Sequence, residues 1–162
     1  MRKVAIILMK GFDGCGVSRF AIEMQKELRR TNNVCDVFSL NKKYERTKAH
    51  NDKDVIFYKK FSELDFSQYD TVILNSYPKK FDNETYEAFK NIKATKVGMM
   101  HEIIKMNYGR IDQLWKWIDA CDIISSFSDT MDFTQDLKKR IPNKKYFSYR
   151  MFMSEEEMNK LY

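Results

Sequence analysis

His101 and Glu102 stand side by side directly after an apolar run, Lys96 to Met100. Histidine is the side chain whose ordinary pKa lies nearest neutrality, so it can act as a general base. A neighbouring carboxylate can orient the ring or form a polar wall. The chain has only two histidines; the other, His50, lies in a polar stretch with Arg46 and Thr47. A second group is Lys10-Gly11-Phe12-Asp13-Gly14-Cys15-Gly16-Val17-Ser18. A glycine turn between a strand and a helix lets backbone N–H groups at Gly14, Cys15, Gly16 and Val17 approach a phosphate or a sugar. The turn matches neither the full dinucleotide fingerprint nor the Gly-Lys-Ser/Thr phosphate loop, which disfavours NAD and ATP. Small polar residues also cluster at Asn75-Ser76-Tyr77-Pro78 and at Ser126-Phe127-Ser128-Asp129. Each group has a plain structural reading too: a tight strand-to-helix turn, a surface histidine, ordinary polar loops.

The elements that would position these groups are legible as short apolar runs, rich in β-branched residues and bounded by turn or charged residues. Six strands are predicted: Val4 to Met9, Val34 to Leu40, Val55 to Tyr58, Thr71 to Asn75, Lys96 to Met100 and Asp122 to Ser125, with Lys145 to Tyr149 as a candidate seventh. Helical spacing follows the first strand (Ala21, Met24, Gln25, Leu28), the fourth (Tyr86, Phe89, Ile92) and the fifth (Ile111, Leu114, Trp115, Ile118). A short helix is expected from Met131 to Arg140, stopped by Pro142, and another begins at Ser154 with Glu157 in the capping-box position. Of the two tryptophans, Trp115 is expected in the core and Trp117 partly exposed. Alternating strands and helices imply right-handed crossovers and an α/β, Rossmann-like, three-layer domain with a mainly parallel sheet. Ligands in such sheets bind at the carboxyl ends of the strands, the edge at which Gly14, Asn75, His101 and Ser128 would meet. The polar connection from Asn41 to Asp54 is long enough to be a functional loop.

Composition narrows the setting. At 162 residues the chain fits one domain with a core of its own. Its 29 Lys and Arg exceed 23 Asp and Glu by 6, a balance that favours a polyanionic partner and that an AT-rich coding sequence would also produce. The cluster Lys42, Lys43, Arg46 and Lys48 around Tyr44 fits phosphates and a base, or equally a solvated charged loop. Three cysteines without paired spacing argue against a zinc site or disulfides and suit a reducing compartment. Met1-Arg2-Lys3 and the short apolar run behind it read as neither a signal peptide nor a spanning helix, so no membrane partner is expected.

Taken in order, these segments resemble the N-terminal domain of the α-glucosyltransferases of T-even phages, which glucosylate 5-hydroxymethylcytosine in DNA. The likeness runs through Gly11-Phe12-Asp13-Gly14-Cys15-Gly16-Val17-Ser18-Arg19-Phe20, Arg46-Thr47 with His50, Asn75-Ser76-Tyr77-Pro78, His101-Glu102, and Asp122-Ile123-Ile124-Ser125 through Ser128-Asp129 and Phe133. It spans residues 1 to about 150 at similar spacing.

The resemblance implies a GT-B architecture, two Rossmann-like domains facing across a cleft. Residues 1–150 would form the N-terminal, acceptor-side domain, and 151–162 would begin a helix leading to a second domain or a partner chain. It further implies transfer with retention from a UDP-sugar co-substrate to a flipped base in double-stranded DNA, in the host cytoplasm, with no permanently bound cofactor and no metal. His101 and Glu102 would be catalytic; Glu102 stands where the family has aspartate, which changes its reach. Gly14, Cys15, Gly16 and Val17 would lie near the donor diphosphate or sugar. Arg46, Thr47, His50, Asn75, Ser76, Ser128 and Asp129 would face acceptor DNA, although Asn51 replaces an acidic family residue. A complete enzyme of this kind is more than twice as long, so catalysis is expected to need the second domain, which holds most of the UDP-sugar. The alternatives are a non-catalytic DNA- or protein-binding protein on the same scaffold, with a partner chain or a second copy, and a small-molecule α/β enzyme of unrelated chemistry.

Overall fold

The computed structural model describes residues 1–9, 16–40, 54–78, 81–101, 111–126, 135 and 138–148. Seven strands form one sheet: β1 (Lys3–Leu8), β2 (Val34–Leu40), β3 (Val55–Tyr58), β4 (Thr71–Ser76), β5 (Thr95–Met100), β6 (Ile123–Ser126) and β7 (Lys145–Ser148). Their order is β3-β2-β1-β4-β5-β6-β7, and every pairing is parallel. The expected Rossmann-like architecture is therefore present, and the candidate seventh strand is real. Strand order reverses direction between β1 and β4, which makes the carboxyl ends of those two strands the topological switch point where such sheets open a crevice.

Among the described residues, three α-helices cover the sheet: α1 (Gly16–Arg30), α2 (Asn83–Lys90) and α3 (Ile111–Ala120). Because side chains alternate along a strand, β1 divides its apolar residues between two cores. Val4, Ile6 and Leu8 pack with Phe20 and Ala21 of α1, together with Val37, Ile73, Val97 and Met99. Ala5 and Ile7 face the other way, into a core with Phe61, Phe66, Phe89, Trp117 and Ile118. In α3 the expectation for the tryptophans is reversed: Trp117 is 2% exposed and Trp115 only partly buried. The face of α3 turned to the sheet carries Trp117, Ile118 and the following Cys121, and Phe81, Tyr86 and Phe89 pack around the Trp117 indole. Against alanine, a ring so enclosed contributes about 3–5 kcal/mol.

Helix ends explain why α1 is held where it is. Asn32 adopts φ 63°, while Asn32 N–H donates to the Arg29 carbonyl and Asn33 N–H to that of Leu28, each at 3.1 Å. This is a Schellman stop, with asparagine in the left-handed position it tolerates better than most residues. Gln25, 1% exposed, commits both amide protons: its Nε2 donates to the carbonyls of Cys35 at 3.1 Å and Asp54 at 3.2 Å, tying the helix to β2 and the start of β3. In α2 the N-cap is Asp82, whose carboxylate accepts from Thr85 N–H at 3.0 Å and from the Thr85 hydroxyl. Those bonds, the hydroxyl's first, hold the Asp82 carboxyl below its ordinary pKa.

Gly98 of β5 is the one described glycine that packing requires. A Cβ there would lie 3.0 Å from both Cys121 Sγ and Tyr77 Oη, so the Tyr77 ring crosses β5 only because the side chain is missing. Cys35 and Cys121 are buried apolar fillers. Burial pushes both thiols up to about 12, which keeps them neutral and unreactive. No described helix is long and apolar enough to cross a membrane. The Met131 to Arg140 helix is seen only at Gln135 and 138–140, while the helix from Ser154 and the connection 41–53 lie outside the described residues.

Candidate functional site

Three elements meet at the switch point through one buried amide. Asn75 is completely buried near the end of β4, and its Nδ2 donates to the Val17 carbonyl, in the first turn of α1, at 2.9 Å. Its Oδ1 lies 2.8 Å from Nε2 of His101, the residue immediately after β5. A carbonyl can only accept, so the contact with Val17 fixes which way the amide points. Oδ1 must then face the histidine, and His101 donates through Nε2–H. In the neutral imidazole Nδ1 is consequently the basic nitrogen. Phe20 of α1 steadies the same ring by an edge-to-face contact, with centroids 5.0 Å apart.

The backbone of β4 explains how a buried amide comes to reach both neighbours. Against β1, Ile7 pairs with Leu74 but Leu8 pairs with Ser76, so Asn75 is an extra residue, a β-bulge. Bulges re-aim side chains, and they recur beside functional sites. On β5, Val97 and Met99 belong to the α1-side core, and two residues on His101 meets the same helix. The sheet's pleat thus places Asn75 and His101 on one face.

Gly16 opens α1 and is exposed; a Cβ built there meets nothing within 4 Å. Neither a crowded neighbour nor a left-handed φ requires glycine at this position. The space beside it, at the positive end of a helix with no acidic residue in its first turn, suits an anion. Ser76 at 5% and Ser126 at 3% exposure also end strands on this edge. Ser125, next to Ser126, is fully buried, and its Oγ has no hydrogen-bond partner among the described residues.

Of the residues singled out from sequence, the structure therefore brings together Val17, Asn75 and His101, with Gly16 and Ser76 beside them. Gly14, Cys15, Arg46, Thr47, His50, Glu102, Ser128 and Asp129 lie outside the described residues. Phe20 was missed as part of the site, and only its placement one turn into α1 could have hinted at it. Among the described residues no group of acids, histidines or cysteines could hold a metal ion.

With this geometry in view, the relatives are informative. The chain is 28% identical over 151 residues to the DNA alpha-glucosyltransferase of Enterobacteria phage T4, an alignment covering 85% of this chain and 38% of the relative. It is similar to a DNA glucosyltransferase. The chain spans about two-fifths of that relative's length. No protein-family model matches it. Among solved structures, an alpha-glucosyltransferase in complex with UDP and a 13-mer DNA containing a HMU base superposes with a TM-score of 0.79 at 24% identity, over 99% of this chain and 45% of that one. An alpha-glucosyltransferase in complex with UDP gives 0.76 at 22%, over 94% and 45%. A complex with UDP-glucose and DNA containing an abasic site gives 0.74 at 21%, over 99% and 45%. These likenesses establish the Rossmann-like fold as that of one part of such glucosyltransferases.

Proposed function

We propose that this chain is the N-terminal, acceptor-side half of a phage GT-B glycosyltransferase that moves a sugar from a UDP-sugar to 5-hydroxymethylcytosine in DNA. The observation that carries this reading is the Val17–Asn75–His101 linkage at the switch point, which joins the helix that would face the donor to the histidine that would face the acceptor. His101 would handle the proton of the acceptor hydroxyl through Nδ1, because Nε2–H is committed to Asn75. Gly16 and Val17, with Gly14 and Cys15 ahead of them, would bring backbone N–H groups to the diphosphate or the transferred sugar. Flipping the modified base out of the stack would deliver its hydroxymethyl group to this crevice. Glu102, Arg46, Thr47, His50, Ser76, Ser128 and Asp129 keep the roles expected from sequence: Glu102 beside the proton relay, the others toward DNA. Asn75 is assigned a positioning role, since its amide is buried and both of its ends are engaged.

The test is transfer from UDP-glucose to hydroxymethylated DNA, by the chain alone and by the chain joined to the C-terminal domain of the T4 relative. The chain alone should be inactive and the joined protein active. His101→Ala in the joined protein should lower kcat by about 10²- to 10⁴-fold, while DNA binding persists. An unchanged rate would remove His101 from the chemistry. It would favour a non-catalytic binding protein built on the same scaffold.

A further inference from the structure

A second concavity lies at the same edge, on the opposite face of the sheet from Asn75 and His101. It has a volume of about 470 Å³ and opens where β1, β2, β3 and β4 end, against the start of α2. Met9, Tyr58 and Phe61 form a buried apolar floor, with Pro78 beside them. The Tyr58 and Phe61 rings meet edge to face, with centroids 6.0 Å apart.

The rim carries two acids and two bases, but their situations differ. Asp82 caps α2 through Thr85, and Glu84 accepts from the Ser62 hydroxyl at 2.7 Å. Lys59 and Lys60 are exposed, and among the described residues neither ammonium group has a hydrogen-bond or ion-pair partner. The cavity thus presents a ring-sized apolar floor together with two exposed ammonium groups that no described residue engages. Its volume lies within the roughly 300–1,000 Å³ of small-ligand pockets, which suits a single flat group far better than a protein segment.

From this pairing we infer that the cavity takes one nucleotide of a DNA strand, its base on the Tyr58–Phe61 floor and its phosphate against Lys59 and Lys60. Aromatic faces accept any base, and ammonium groups track the backbone, so the subsite is sequence-tolerant. The inference rests on the DNA reading above and adds a place to it. Pro78 lies three residues beyond Asn75, a span of at most ~10 Å of extended chain. At ~3.4 Å per stacked nucleotide, the cavity would hold a neighbour within about three steps of the acceptor.

The experiment titrates the whole chain against a short oligonucleotide carrying a fluorescent base analogue, across a range of salt concentrations. Two exposed-site variants accompany it, Lys59→Ala/Lys60→Ala and Ser62→Trp, the latter filling the cavity mouth; circular dichroism confirms that both fold. The lysine variant should bind about tenfold more weakly at low salt and lower the slope of log affinity against log salt by about 2. Ser62→Trp should weaken binding with the slope unchanged and abolish quenching of the analogue. DNA binding untouched by both variants would overturn the subsite while leaving the DNA reading in place. Absence of DNA binding by the unaltered chain would overturn both. Binding of UMP that Ser62→Trp abolishes, with DNA binding unaffected, would give the cavity to a free nucleotide and also overturn the inference. Wild-type-like subsite behaviour beside a joined protein that transfers no sugar would instead sink the transferase reading alone.

Discussion

At the amino-terminal edge of the sheet, strands are bracketed in pairs by exposed polar groups; at the carboxyl-terminal edge, a single buried amide joins three elements. Asp70 accepts from Lys3 N–H at 2.8 Å while its own N–H donates to the Lys3 carbonyl at 2.9 Å. Asp122 repeats this with Lys96, at 2.7 and 2.8 Å. Each bracket is reciprocal and shares no partner with the other. Asn75, by contrast, serves Val17 and His101 at once. The first arrangement is modular; the second is coupled. Repeated independent bonds suit an edge that only has to hold strands together, whereas a shared buried relay fixes one geometry and suffers as a whole when any member changes.

The difference can be broken most forcefully with alkali. Both buried thiols lie toward the bracketed end, Cys35 in the second position of β2 and Cys121 just before β6. Burial raises each from 9.0 to about 12. The unfolded chain therefore loses these protons first, so stability is fully present below pH ~9 and falls as pH rises toward 12. Burial raises Tyr58 and Tyr69 in the same direction, and hydrogen bonding to Asp36 adds to the shift at Tyr69. Urea midpoints measured from pH 7 to 11 should drop by several kcal/mol equivalent, and a Cys35→Ala/Cys121→Ala chain should show a flatter profile. An equally steep profile in that variant would assign the loss elsewhere.

The relay itself should give the next largest effect. Asn75→Leu should cost about 1–3 kcal/mol, because it leaves His101 Nε2–H without its acceptor and removes the bond from β4 to the Val17 carbonyl of α1. Combined with His101→Ala, it should cost less than the sum of the two single changes. Nitrogen chemical shifts of the His101 ring would show the loss of its fixed Nε2–H tautomer. Additive behaviour of the pair would refute the coupling.

The smallest effect belongs to the brackets. Asp70→Ala and Asp122→Ala should each cost about 1 kcal/mol, and the double change should cost the sum, measured by denaturant unfolding, with DNA binding unaltered. A marked departure from additivity would erase the contrast between the edges.

Strand positions were legible because parallel strands are buried on both faces and so appear as unbroken apolar runs. Val34–Leu40 and Val55–Tyr58 coincide with their expected bounds, and the others differ by one residue at one or both ends. The tryptophans were not legible: Trp115 and Trp117 lie two apart, and apolar spacing alone does not say which side of α3 meets the sheet. The site was half legible. His101 announced itself as a rare ionisable residue after a strand, but its partner did not, because a bulge leaves no mark in a periodicity of two. Asn75 stood at the end of an expected strand, and the tertiary hydrogen bonds that bury its amide have no local signature in the sequence.

That supernumerary residue in β4 also makes the molecule unevenly tolerant of changes in length. An amino acid lost or gained between Thr71 and Leu74 would reverse the alternation downstream and swing Asn75 toward the Trp117 side of the sheet, even with every neighbouring side chain unchanged. The strand's own residue count is tied to the histidine at the end of the neighbouring strand.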